Sequence, residues 1–127
     1  MEVKSYRDLK IWQKSIDLVE IVYKTVKFLP KEELYSLTDQ IKRASVSIPC
    51  NIAEGHQRNS TKDYLRFLFI AKGSLGELVT QVIICERLDY LSHDQTIPVI
   101  ELCDEVGKML NTLIIRLQNS GTARINP

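Results

Sequence analysis

Residues 34–55 read Leu-Tyr-Ser-Leu-Thr-Asp-Gln-Ile-Lys-Arg-Ala-Ser-Val-Ser-Ile-Pro-Cys-Asn-Ile-Ala-Glu-Gly. Leu34, Leu37, Ile41, Ile48 and Ile52 recur at helical spacing and fall on one stripe. Gln40, Arg43, Ser47, Asn51, Glu54 and Arg58 recur at steps of three and four on the opposite face. An amphipathic helix is expected over 31–54. Glu32 and Glu33 suit its positive end, and Gly55 stands where a C-cap glycine belongs. Pro49 removes one backbone hydrogen bond inside the run. Because the apolar stripe keeps its phase across it, the expectation is a kink near Ser45 and no break.

Working outward, the same periodicity recurs three more times. Leu9, Trp12, Ile16, Val19, Tyr23 and Val26 mark a helix over 8–29, capped by Asp8 and ended by Pro30. A second set on it, Ile11, Leu18, Val22 and Leu29, lies off that stripe. Ser60 and Asp63 resemble an acidic capping pair opening a long helix over 61–90, with a stripe of Tyr64, Leu68, Ala71, Leu75, Leu78, Val79 and Val82. Phe67, Phe69, Ile70, Ile84 and Cys85 lie off it. The last helix is expected over 96–117, with Pro98 in its first turn and a stripe of Val99, Cys103, Val106, Leu110, Leu113 and Leu117. Four such helices on short turns predict an all-α, antiparallel up-down four-helix bundle over 1–118. Residues 119–127 lack periodicity and are expected to form a flexible tail. The surplus apolar sets call for a subunit interface, expected to bury Phe67 or Ile70, or the stripe through Leu18 and Val22.

The 127 residues suit one domain, and a 44% hydrophobic, 26% charged composition is that of a globular chain. No uninterrupted run of eighteen apolar residues occurs, and the first residues lack the apolar stretch of a secretion signal, so no membrane partner and a cytoplasmic location are expected. Cys50, Cys85 and Cys103 are odd in number and widely spaced, which fits small buried apolar residues better than a disulfide framework or a zinc site. His56 and His93 stand alone and read as solvated loop residues. No metal, no cofactor and no enzyme activity are expected. Gly73-Ser74-Leu75-Gly76 lacks the Lys-Ser/Thr ending of a phosphate loop and sits inside a helical pattern.

The net charge is +1, but it is unevenly spread. Lys42, Arg43, Arg58, Lys62, Arg66 and Lys72 outweigh Glu54 and Asp63 in the middle of the chain, whereas the stretch from Glu77 to Gln118 is acidic. A basic region and an acidic one offer complementary faces for head-to-tail assembly into a ring, which one two-fold contact would not match. Lys42, Arg43, Arg58, Lys62 and Arg66 are the candidate phosphate contacts. The polar stripe Gln40, Arg43, Ser47, Asn51 and Glu54 has two readings: an Arg43–Glu54 ion pair fixing helix register, or a small-molecule or catalytic pocket lined by Arg43, Asn51 and Glu54. The small residues Ala44, Ser45, Ser47 and Ala53 on this helix, with Ala71, Gly73, Ser74 and Gly76 on the next, are expected to let two helix backbones approach closely.

The run from Gln40 to Gly55, together with Tyr6-Arg7-Asp8-Leu9-Lys10-Ile11-Trp12-Gln13, Phe28-Leu29-Pro30-Lys31-Glu32-Glu33 and Ile70-Ala71-Lys72-Gly73-Ser74-Leu75-Gly76-Glu77-Leu78, resembles the bacterial four helix bundle proteins. They are also called the 23S rRNA intervening-sequence proteins. The resemblance covers most of the chain up to about Leu117, with Lys42 where arginine is common and Cys50 where serine is common. It implies a left-handed up-down bundle assembling into a ring, typically a homopentamer. Some relatives are encoded within inserts of 23S rRNA genes, and the bundle is similar to an accessory protein of diversity-generating retroelements that binds nucleic acid and a reverse transcriptase. The expected function is therefore a non-enzymatic oligomeric binding or scaffold protein, with rRNA or a ribonucleoprotein as its partner.

Overall fold

The computed structural model describes residues 5–125. Among the described residues there is no strand. Four helices, α1 (Lys10–Thr25), α2 (Leu37–His56), α3 (Thr61–Arg87) and α4 (His93–Ile125), are joined by short turns, with single 3-10 turns at Tyr6–Asp8, Val26–Phe28 and Lys31–Glu33. Each helix packs on the next, and α4 also packs on α1. The four enclose one core in which Leu18, Ile41, Ile48, Ile52, Leu68, Leu78, Val106 and Leu110 are fully buried. Each such side chain contributes about 1.5–3 kcal/mol relative to exposure.

The boundaries follow local chemistry. Ser60 caps α3, its hydroxyl accepting from the Asp63 N–H at 3.1 Å, as the sequence suggested. Asp8 does not cap α1; its carboxylate accepts from the Ser5 N–H at 3.2 Å and closes the turn before it. Pro49 is buried inside an uninterrupted α2. That helix begins at Leu37 rather than residue 31, because the chain after Pro30 makes a 3-10 turn first. Leu34 consequently leaves the apolar stripe and is 48% exposed. At the far end α3 stops at Arg87. Asp89 takes a left-handed φ of 60°, which lets the Tyr90 and Leu91 N–H groups donate back to the Cys85 carbonyl.

Four expectations are corrected. The core side of α1 is Ile11, Ser15, Leu18 and Val22, so the set read as surplus faces inward, and Leu18 and Val22 serve no subunit interface. Two adjacent apolar stripes establish a wide apolar arc, but only the neighbouring helices decide which part of it becomes the centre. Gly55 does not cap α2: it lies in the helix without a left-handed φ, packed against α3. Cys50 is exposed, while Cys85 and Cys103 are buried. The helix α4 runs to Ile125, past its expected end at 117, and residues 126–127 of the expected tail lie outside the described residues. Propagating a formed helix needs one more hydrogen bond per residue and no apolar face, so missing periodicity speaks of packing, not of helicity.

By length and composition α3 is apolar enough to cross a membrane, although its sequence holds no uninterrupted run of eighteen apolar residues. Leu68, Ala71, Leu75, Leu78, Val82 and Cys85 spend that apolarity on the core. Phe69, Ile70, Ile83 and Ile84 point outward and are 42–48% exposed. The second apolar surface therefore belongs to α3 and not to α1.

Candidate nucleic-acid interface

The turn between α2 and α3 gathers three of the five candidate cations. Arg58 follows the last turn of α2, and Lys62 and Arg66 lie one turn apart at the start of α3. Gly55 makes this junction possible: a Cβ there would stand 2.9 Å from the Phe67 Cβ and 3.0 Å from the Tyr64 ring. The close approach of the two backbones leaves Phe67 half-buried beneath two guanidinium groups. The Arg66 Cζ lies 4.4 Å from the centre of the Phe67 ring and the Arg58 Cζ 4.8 Å from it. The negative face of the ring attracts both cations. Glu54 accepts from the Arg58 Nη2 at 2.6 Å and sets the height of that side chain. On the other side of the junction the His56 ring meets Tyr64 edge-on at 5.8 Å, and burial pushes the Tyr64 hydroxyl pKa upward.

Lys42 and Arg43 are not part of this cluster. Sixteen residues of chain at a helical rise place Arg58 about 24 Å from Lys42. The Lys42 Nζ sits 5.0 Å over the Tyr23 ring, in a groove between α1 and α2 that also takes Lys24 and Lys27. Arg43 is bound to Asp39 through its Nε at 2.9 Å. The basic residues thus form two separate groups, because α2 lays them out along its length.

The polar stripe does not converge either. Arg43 pairs with Asp39 and Glu54 with Arg58, each one turn away along the helix, so the expected Arg43–Glu54 pair is absent within the chain. The Asn51 amide donates to the Ser47 carbonyl at 2.8 Å and to its hydroxyl at 2.9 Å. The Ser47 hydroxyl in turn meets the Ser74 hydroxyl at 2.8 Å, which ties α2 to α3. Gln40 is exposed. Asn51, Ser47 and Ser74 make a register lock, and the geometry brings no two of Arg43, Asn51 and Glu54 into contact. Among the described residues, no group of three or more His, Cys, Asp or Glu side chains could hold a metal ion.

Phe67 and Tyr23, the rings under the cations, escape a reading of sequence alone. Phe67 adjoins Arg66 in the sequence, but Arg58 and Lys42 reach their rings only through packing.

Residues 7–112 match the family described as 23S rRNA-intervening sequence protein. The fold is similar to a crystal structure from Bacteroides thetaiotaomicron, that of a protein with unknown function from the S23 ribosomal protein family. The two share 26% sequence identity with a TM-score of 0.76, over 82% of this chain and 97% of that one. Comparison with curated proteins found no match. A four-helix chain matched from the first turn through most of α4 belongs to the 23S rRNA-intervening sequence protein family.

Proposed function

We propose that this chain is an antiparallel up-down bundle that assembles head to tail into a cyclic homo-oligomer and acts in the cytoplasm as a non-enzymatic binding or scaffold protein for RNA or a ribonucleoprotein. The observation that carries the reading is the pair of guanidiniums over Phe67, with Lys62 exposed beside them. A ring face holds each planar fork in place, so less side-chain freedom is lost when its outer N–H groups meet a phosphate. Lys42 and Arg43 on α2 offer a second, separate group of cations, and the family's name points to an rRNA setting. One copy carries few charges. A ring of copies, five by the family resemblance, multiplies weak contacts.

The outer face of α3 supports assembly. Phe69, Gly73, Gly76, Thr80 and Ile83 follow one another at helical spacing, and a Cβ added at either glycine would meet nothing within 4 Å. Exposed apolar side chains around bare backbone suit the approach of another copy.

Filter binding of the full chain to a structured rRNA fragment at about 50 and about 200 mM salt tests the binding. Saturable binding that weakens as salt rises, and weakens further in the double variant Arg58→Ala/Arg66→Ala, is the expected result. No binding at the lower salt, or binding indifferent to salt, overturns it.

A further inference from the structure

We infer that the groove between α1 and α4 docks an acidic amphipathic helix of a partner protein. The groove measures about 450 Å³. Its floor is Leu9, Met109 and Leu113, all half-buried at the margin of the core. Its rim is Lys10 on α1 with Lys108 and Arg116 on α4, all exposed. Among the described residues no carboxylate lines the groove, and none of these three cations has an ion-pair partner. The carboxylate one turn before Met109, Glu105, is occupied by Lys14 at 3.2 Å. An apolar trough whose described charges are all positive and unpaired is complementary to a ligand that is apolar on one side and anionic at its edges.

The spacing of the cations selects among such ligands. Lys108 and Arg116 stand two turns apart, about 12 Å along α4. Lys10 faces them from the other wall. A single-headed anion such as a fatty acid would neutralise one of these charges and leave the others unpaired. A helix carrying carboxylates two turns apart, flanking apolar residues at steps of three and four, meets both walls and fills the floor. Met109 is unbranched and polarizable, and it adapts to the side chains laid on it. The groove is only two turns long, so the contact is weak and salt-sensitive. This inference is independent of RNA binding and uses none of the residues assigned to it.

Fluorescence anisotropy of a labelled synthetic peptide of about four turns tests the inference. The peptide carries leucines on one helical face and glutamates along both edges, and it is titrated with the full-length protein. Expected are saturable binding, a weakening of about tenfold or more in Lys108→Glu/Arg116→Glu, and a change below about twofold in Lys27→Glu, which lies in a different groove. All three cations are exposed, and circular dichroism verifies that both variants remain folded. Three outcomes overturn the inference: no saturable binding, equal weakening in both variants, or tighter binding of dodecanoate than of the peptide. A fall in native mass in Lys108→Glu/Arg116→Glu also overturns it, since a second copy would then be the occupant.

Discussion

A methyl group at Gly55 has two opposed effects. Alanine in place of a helical glycine gains about 1 kcal/mol of helix propensity. The new Cβ, however, would lie 2.9 Å from the Phe67 Cβ and 3.2 Å from the Tyr64 carbonyl, and neither can swing away as a side-chain tip would. Overpacking of this kind costs about 1–3 kcal/mol, so the clash outweighs the propensity. Gly55→Ala is expected to lower the urea midpoint and to disturb the Arg58–Phe67–Arg66 cluster. The thiols give a second test at this scale. Burial, reinforced by the charge of Glu33, pushes the Cys85 pKa up to about 11; burial, reinforced by Asp104, pushes that of Cys103 up to about 12. The unfolded chain releases these protons near 9.0, so the contribution is complete below that pH and is lost as pH rises through the folded values. Stability should therefore fall above pH 9, by up to about 1.4 kcal/mol per pH unit for each thiol. Urea unfolding at stepped alkaline pH measures the slope. In the native protein a thiol reagent at neutral pH should modify Cys50 rapidly and the other two only on unfolding.

Among the elements, the α3–α4 junction concentrates the most specific chemistry. Ser92 and Gln95 exchange side-chain and backbone hydrogen bonds at the start of α4, and the buried Thr96 hydroxyl donates to Glu86 on α3. That bond, followed by the neighbouring His93, holds the Glu86 carboxyl below the usual range. The Tyr90 hydroxyl donates to Glu33 at 3.3 Å and fastens the junction to the α1–α2 connection. Asp89 is the strained member. Its φ of 60° is a conformation that glycine adopts freely and that an aspartate enters at a cost. Asp89→Gly is expected to stabilise the protein by about 0.5–1 kcal/mol, seen as a higher thermal midpoint with an unchanged urea m-value. A lower midpoint would show that the aspartate side chain contributes more than its backbone costs.

At the scale of the whole molecule, substitutions on the outer face of α3 test the proposed assembly separately from folding. Gly73 and Gly76 have open space where a Cβ would go, so alanine there should stabilise the isolated chain by about 1 kcal/mol per site. If another copy approaches this face, the same methyl groups obstruct it. Gly73→Ala/Gly76→Ala should then lower the mass measured by light scattering while the single-chain unfolding midpoint rises. The unchanged protein should have a mass that is a multiple of 14.6 kDa, and a value near 14.6 kDa overturns assembly. A substitution that raised stability and left the mass unchanged would move the assembly surface away from α3.

Much of this fold is legible in one dimension because helices are local. The hydrogen bonds of α2, α3 and α4 join residues four apart, so the recurrence of Ile41, Ile48 and Ile52 or of Val99, Cys103 and Val106 declares both the helix and its inward side. The Ser60 cap is local too, and it was equally readable. What the sequence left open is which side wins when two adjoining stripes are apolar. Leu18 and Val22 became core, whereas Trp12, Ile16 and Val19 stayed half-buried, because α2 and α4 press on one part of the arc. The same limit governs the candidate sites. Arg43 and Glu54 fall together on any helical projection, yet each is captured by a nearer partner one turn away. Arg58 and Arg66 share Phe67 only because Gly55 lets α2 and α3 touch, and the groove beside Met109 exists only between two helices most of a chain length apart. Short-range hydrogen bonding and periodicity are properties of neighbours in sequence; shared surfaces depend on neighbours in space.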